Sequence, residues 1–422
     1  MKNFTQALAY IIFYSCILGS IKIQRSFSSY KPDETHNIEG LFLLFRHGAR
    51  TASRFPDPIF MKVGTPKISQ LTTIGKFQIK TLAKKIIYRY RPILPPDISF
   101  IVSPSKRCRD SFWEFHKVFE EENFKMTPII YFVAKDHDLM FHAKNYVKYK
   151  HKINEKIYTD PRFESQIYEL QNTVDKLNNN KKVQESFHHY CSCCDNSTFE
   201  HQVMNYRFFY SYFISLYHNN LKKFEVDYET LLLTKKVFYL MTYLIDNYPL
   251  KFTKLMANEF INYIGNQALT IVKGNWAYYD VTRSYESLFK GIYDIETKAF
   301  TFFSGHDHNI IPLLFLFILS NETDLSFLVE HPEFEVKFAS YLSIEFYSLI
   351  DSKENINNKA FQYHKIFINI IFNDRIIKLK SCGYQNCELE EFLKLLVSYK
   401  HPCKSLECVS ELNAEDFFEN YL

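Results

Sequence analysis

Arg46, His47, Gly48 and Arg50, within residues 41–58 (LFLLFRHGARTASRFPDP), set two guanidinium groups around one imidazole directly after an apolar stretch. Arginine makes forked, charge-assisted contacts to phosphate oxygens. Two like charges also disfavour imidazolium, so the ring between them is neutral and nucleophilic at mildly acid pH. Together these groups suit attack on a bound dianion. The apolar run 40–45 predicts a buried strand of a parallel sheet that ends at a functional loop. In open α/β sheets, ligands sit beyond the carboxyl ends of the strands, which is where His47 falls.

Two further segments have the same construction. Residues 97–102 (DISFIV) predict a strand, followed by Arg107 and Arg109 at the start of a helical pattern carrying Phe112, Trp113, Phe115, Val118 and Phe119. Residues 299–304 (AFTFFS) predict a third strand, followed by Gly305, His306, Asp307, His308 and Asn309, then an apolar helix from Ile310. Three strand ends, far apart along the chain, each carry groups suited to phosphate chemistry.

RHGAR, RCRDS and GHD, in this order, resemble the histidine acid phosphatase branch of the histidine phosphatase superfamily. Gln70, Leu71, Thr72 and Gly75, with the helix ending at Tyr88, Arg89, Tyr90 and Arg91, are similar to the family's segment after its first motif. Residues 367–392 resemble its closing strand pair and cysteine loop. The likeness spans most of the chain and is weakest between about residues 146 and 290. It implies a three-layer α/β/α sandwich with a mostly parallel central sheet and an inserted helical cap.

For the site, the resemblance implies that His47 is the nucleophile, forming a phosphohistidine. Arg46, Arg50, Arg107 and His306 would bind the equatorial phosphate oxygens, where charge is stabilised most in the transition state. Asp307 would protonate the leaving oxygen and then activate water. Arg109 and His308 are candidate substrate contacts. Two departures stand out: Ala52 occupies a position usually held by proline, with Pro56 and Pro58 just downstream, and His308 and Asn309 replace small hydroxyl residues. The first puts the loop geometry in question and the second the pocket wall.

No metal or other cofactor is expected. His306 and His308 alternate on extended backbone, and no second cluster has ligand spacing. His188, His189, Cys191, Cys193 and Cys194 could hold zinc in a reducing compartment, but the rest of the chain points to an oxidising one. Residues 1–20 combine Lys2 with an apolar run ending before Gly19 and Ser20, the pattern of a signal peptide. Lys22 and Arg25 interrupt the run before the roughly 20 apolar residues of a membrane span are reached, so no stable span is expected after cleavage; an uncleaved anchor is the minority alternative. Sequons at Asn196 and Asn321 fit passage through the secretory pathway, to secretion or a lysosome.

Without Cys16, eight cysteines remain, and an even number in an oxidising compartment favours disulfides. The family resemblance implies pairing of Cys382 with Cys387. The catalytic core is expected from residues 38–137 and 296–400, the mostly helical cap from 138–295, and a cysteine-containing tail from 401–422. Within the cap, helical patterns cover 199–217, 228–248 and 251–271, whereas the polar run 174–183 (VDKLNNNKKV) reads as a loop.

A formal net charge of +4 gives no case for nucleic acid. Residues 144–156 carry five lysines and one acid, Glu155, which reads as a solvated face, with attraction of a polyphosphate as the functional alternative. The expected substrate is a phosphate monoester hydrolysed by an acid phosphatase. A multiple inositol polyphosphate phosphatase is the second reading, because RCRDS resembles that branch as well. A Golgi sugar phosphatase enters if the N-terminal segment stays in the membrane. A secreted glycoprotein that binds phosphorylated ligands without turnover is the reading from another class, and the intact His47 and Asp307 argue against it.

Overall fold

The computed structural model describes residues 36–52, 69–96, 98–123, 129–132, 138–142, 157–190, 198–219, 228–242, 250–273, 275, 278–291, 295–318, 335–349, 365–379, 382 and 386–403. The N-terminal signal, the sequon asparagines Asn196 and Asn321, Pro56 and Pro58, the lysine-rich run 144–156 and the cysteines at 191, 193 and 194 lie outside the described residues.

The chain enters with β1 (His36–Arg46), α1 (Thr73–Tyr90), β2 (Ser99–Val102), α2 (Lys106–Glu121) and β3 (Ile129–Phe132). A helical series follows: α3 (Leu139–His142), α4 (Glu164–Asn179), α5 (Lys181–Tyr190), α6 (Phe199–His218), α7 (Tyr228–Leu240), α8 (Leu250–Ile271) and α9 (Tyr279–Tyr285). It returns through β4 (Phe300–Gly305), α10 (Asp307–Ile318), β5 (Tyr341–Leu349), β6 (Ile366–Phe372), β7 (Arg375–Ile377), β8 (Cys387–Glu388) and α11 (Leu389–Tyr399).

The strands form one sheet in the order β3-β2-β4-β1-β5-β6-β7, with β8 against β6. β1 to β4 run parallel to one another. β5 opposes β1 and β6 opposes β5, so β6 shares the direction of the parallel set. The sheet is thus mostly parallel, with its antiparallel pairs gathered on one side.

Each face of β1 is covered, which explains why it reads as a continuous apolar run. Leu41, Leu43 and Phe45 point into one core with Ile79 and Ile86 of α1 and Phe112 and Phe115 of α2. Phe42 and Leu44 point into the other, with Phe260 and Ile264 of α8, Leu313 of α10 and Phe392 of α11. The alternation is the two-residue period of a strand, and the result is the expected three-layer α/β/α sandwich.

α8 falls inside the segment expected to be cap, yet it seals the sheet directly. Gln267 Nε2 donates to the carbonyl oxygens of Leu41 and Ala299, at 3.2 and 2.8 Å, and Tyr263 Oη lies 2.9 Å from Thr301 Oγ1. The helices α4, α6 and α7 instead pack on one another. The polar run 174–183, expected to be a loop, is helical on both sides of Asn180. Val174, Leu177 and Val183 are fully or almost fully buried, so the apolar spacing outweighs the polar residues between them.

Cys382 and Cys387 form a disulfide, as the resemblance implied, and Cys403 is also disulfide-bonded. Cys108 is a buried free thiol. Among the described residues, no helix is long and apolar enough to cross a membrane.

Candidate active site

β1, β4 and β2 end level with one another: Arg46 is opposite Gly305, and Val102 is opposite Ser304. Parallel strands in this register bring all three motif loops to one edge of the sheet, although more than 200 residues separate Arg46 from Asp307.

The RHG loop is seated on the start of α1. A β-carbon at Gly48 would lie 2.2 Å from the carbonyl oxygen of Gly75, and one at Gly75 would lie 2.0 Å from that of Ala49, so both positions require glycine. Thr72 caps α1 by accepting from Gly75 N at 3.1 Å and returns its own hydroxyl to Ala49 O at 3.0 Å. Where proline was expected, Ala52 is buried, and its carbonyl accepts from Ser69 N at 3.1 Å while Thr51 N donates to Gln70 O at 2.9 Å. Backbone pairing thus holds the loop in place of a proline ring.

His47 is 2% exposed. Its Nδ1 lies 2.8 Å from Gly48 O, which can only accept, so Nδ1 carries the proton and Nε2 presents a lone pair. Arg107 Nε donates to that Nε2 at 3.0 Å, which agrees with the same tautomer. Burial, then the charges of Arg107, Arg46 and Arg50, hold the His47 pKa well below the usual histidine range. The imidazole is therefore neutral even in mildly acid solution.

The three arginines are fixed differently. Arg46 donates to Val336 O at 2.6 Å, pairs with Asp307 at 2.8 Å and lies over the Phe338 ring at 4.4 Å. Arg50 donates to Thr51 O at 3.0 Å. Burial and its cationic neighbours Arg107 and Arg46 pull it down to about 9, which still leaves it charged at physiological pH. The Nε groups of Arg46 and Arg50 are buried donors with no protein partner. Orphaned donors on clustered cations leave room for an anion's oxygens.

Asp307 opens α10, where the helix N-terminus favours negative charge. Burial would raise its pKa, but Arg46, His308 and His47 outweigh this and hold the carboxyl well below the usual range. His308 N donates to Asp307 Oδ1 at 2.9 Å, and His308 Nε2 donates to Phe141 O at 2.9 Å.

His306 and Arg109 depart from expectation. Both ring nitrogens of His306 are engaged: Nδ1 accepts from Arg107 at 3.2 Å and Nε2 lies 3.0 Å from Ser103 Oγ. His306 thus braces Arg107 from behind, whereas His47, Arg46, Arg50, Arg107, Asp307 and His308 line the cavity. Arg109 is exposed and does not line it, a correction to its reading as a substrate contact. Two residues along a helix turn a side chain through about 200°, so Arg107 and Arg109 cannot face the same way.

Residues outside the three motif loops complete the site. Asp138 is fully buried; its Oδ1 accepts from Phe141 N at 2.8 Å, and its Oδ2 binds His142 Nδ1. The His142 ring meets those of His306 and His308 at centroid distances of 5.2 and 5.7 Å. One nitrogen from each of these three histidines falls within a 4.8 Å set. The His306 and His308 rings are stacked at an interplanar angle of 15°, and both nitrogens of His306 are already bonded. A tetrahedral zinc site needs convergent lone pairs about 2.0–2.1 Å from the ion, so this arrangement suits a hydrogen-bonded brace better than a metal. The signal for His142 was the Asp138–His142 spacing of four, which puts both side chains on one helical face.

The cavity of about 470 Å³ extends from the arginines to α6, α7 and α8. Glu335, Val336, Lys337 and Phe338, just before β5, form another part of its wall.

No protein-family model matches the chain, and no curated protein matches it by sequence. Solved structures do match. The apo phytase of Hafnia alvei is 13% identical, with a TM-score of 0.54, over 91% of this chain and 100% of that one. The phytase of Citrobacter braakii is 14% identical, with a TM-score of 0.53, over 87% of this chain and 98% of that one. The Klebsiella sp. ASR1 phytase is 11% identical, with a TM-score of 0.53, over 90% and 98%. The class defined here is therefore one of fold: an α/β/α sandwich of the histidine acid phosphatase type. At this level of identity the likeness extends to the fold and no further.

Proposed function

We propose that this chain is a phosphomonoesterase that works through a phosphohistidine on His47. The observation that carries the reading is a buried, neutral His47 with its Nε2 lone pair inside a ring of Arg46, Arg50 and Arg107, two of which hold unpartnered donors. Neutral imidazole attacks, and arginines gain most as charge builds on the equatorial oxygens.

In the first step, Nε2 attacks phosphorus in line, the bond to the leaving oxygen breaks, and Asp307 supplies that oxygen's proton. Water then attacks the phosphohistidine, gives its proton to Asp307, and inorganic phosphate leaves. Attack requires Arg107 Nε to release the His47 Nε2 lone pair, and its contacts to Ser69 and His306 keep the guanidinium beside the cavity as it does so.

Asp307 is ionised in the free protein, so its proton must arrive with the substrate. A phosphate ester whose second pKa is about 6 brings one as the monoanion. Binding then draws Arg46 toward phosphate and places negative charge beside the carboxyl, and both changes raise its pKa. kcat/KM should accordingly fall about tenfold per pH unit above roughly 6.

A secretory location belongs to the same proposal, supported by the disulfide Cys382–Cys387 and the bonded Cys403. So does the division into an α/β core and a helical cap. A second substrate reading comes from the Hafnia alvei phytase solved with myo-inositol hexakis sulphate, which has a TM-score of 0.54 to this chain. The test of the activity itself is phosphate release from phenyl phosphate at pH 5, which should be present in the wild type and absent from His47→Ala. Equal release by both proteins would remove His47 from the chemistry.

A further inference from the structure

Resting on the phosphatase reading above, we propose that the leaving-group half of the cavity selects monoesters of an aromatic alcohol and disfavours inositol polyphosphates. The two ends of the cavity differ in kind. Beyond the arginine cradle, rings from three helices enter the wall: Phe208 of α6, Phe238 of α7 and Phe252 of α8. Met204, Met256 and Ile311 line the same cavity. Phe238 packs on Tyr210, another lining residue, at 4.9 Å, so the two rings form one aromatic surface.

Cations are scarce in this half. Outside the cradle, and among the described residues, Arg207 and Lys337 are the lysine and arginine side chains that line it. Lys337 is ion-paired with Glu335 at 3.7 Å, and Glu335, a cavity-lining carboxylate, also pairs with Lys235 at 2.9 Å. The Arg207 guanidinium lies over the Phe238 ring at 5.8 Å.

An inositol carrying several phosphates would have to place its remaining dianions among rings, methionines and a carboxylate, with Arg207 and Lys337, each already engaged, as the cations on offer among the described residues. Buried charge without a partner is strongly disfavoured. An aromatic leaving group has the opposite balance: its faces and edges meet other rings in offset or edge-on contact, and the space of about 470 Å³ is of small-molecule size.

The experiment compares kcat/KM for benzyl phosphate, glycerol 3-phosphate and phytate on the full chain. Benzyl alcohol and glycerol are both aliphatic leaving groups, so their ratio reads the pocket more than intrinsic reactivity. We expect benzyl phosphate to be preferred over glycerol 3-phosphate by about tenfold or more, with phytate the poorest. In Phe208→Lys the benzyl-to-glycerol ratio should fall severalfold and phytate should gain. A ratio cannot move through misfolding alone, because loss of active protein scales all three substrates together. Glycerol 3-phosphate matching benzyl phosphate, or phytate leading while His47→Ala is inactive, would overturn the aromatic assignment and leave the phosphatase standing. Leading phytate would turn attention to the lysines at 144–156. No release from any ester, with wild type equal to His47→Ala, would overturn both.

Discussion

The arginine cradle and the aromatic wall occupy one cavity but are built on opposite principles. The cradle stands on three parallel strand ends whose register is set by the sheet ladder, and each charged group is braced by a named backbone or side-chain partner. The wall is made of helix side chains whose outer positions happen to face a cavity. Chemistry that must be held to a fraction of an ångström is placed on the rigid sheet, whereas discrimination between leaving groups is left to surfaces that can change residue by residue.

The largest effect expected from breaking the cradle is with His47→Ala, on the order of 10⁴-fold or more in kcat, measured by phosphate release. A wall substitution such as Phe208→Ala should change substrate ratios and leave catalysis within about tenfold. If the two losses were similar, the division of labour would be mistaken.

Asp307→Asn comes next. Removing the proton donor should cost about 10²–10⁴-fold on benzyl phosphate, and much less on p-nitrophenyl phosphate, whose leaving group departs with little help. Equal losses on both esters would assign Asp307 to binding only.

Within the cradle, Arg107→Ala should lower kcat/KM by about 10²-fold or more, while Arg109→Ala, on the opposite face of α2, should remain within about twofold. Steady-state kinetics of the pair tests whether Arg109 lies outside the site.

A smaller, thermodynamic effect comes from acid. His47 and His306 have folded-state pKa values below the usual histidine value, and His401 is lowered to about 4 by burial and then by Lys251 and Lys254. Above about pH 6.5 these rings are neutral in both states. As pH falls below that, the unfolded chain binds protons that the folded chain refuses, so stability declines. Thermal melting from pH 7 to 5 should show a falling Tm, with a shallower slope in His47→Gln. An unchanged slope would mean that His47 is not held neutral by its surroundings.

The cradle was legible in the sequence because its groups sit at or directly after strand ends: Arg46 at the end of β1 and His47 next to it, Arg107 at the start of α2 after β2, and Asp307 after β4. Sequence spacing there is close to spatial order. It failed at Arg109, where adjacency in the motif conceals helical rotation, and at His306, where residue type did not disclose that Ser103 and Arg107 would take both ring nitrogens. Asp138 and His142 carried a signal, a spacing of four, but nothing in the chain linked them to Asp307. The wall was hidden for a different reason: Phe208, Phe238 and Phe252 occupy apolar helical positions that look like those of the core. Only the packing of α6, α7 and α8 decides which rings face the cavity.

The most direct test of the central claim is to mix the protein with benzyl phosphate, quench in alkali within milliseconds and map the phosphoryl group by mass spectrometry. The account predicts one phosphohistidine, at His47, which accumulates when dephosphorylation is the slower step and is absent from His47→Ala. A phosphoryl group on another residue, or turnover surviving in His47→Ala, would contradict it.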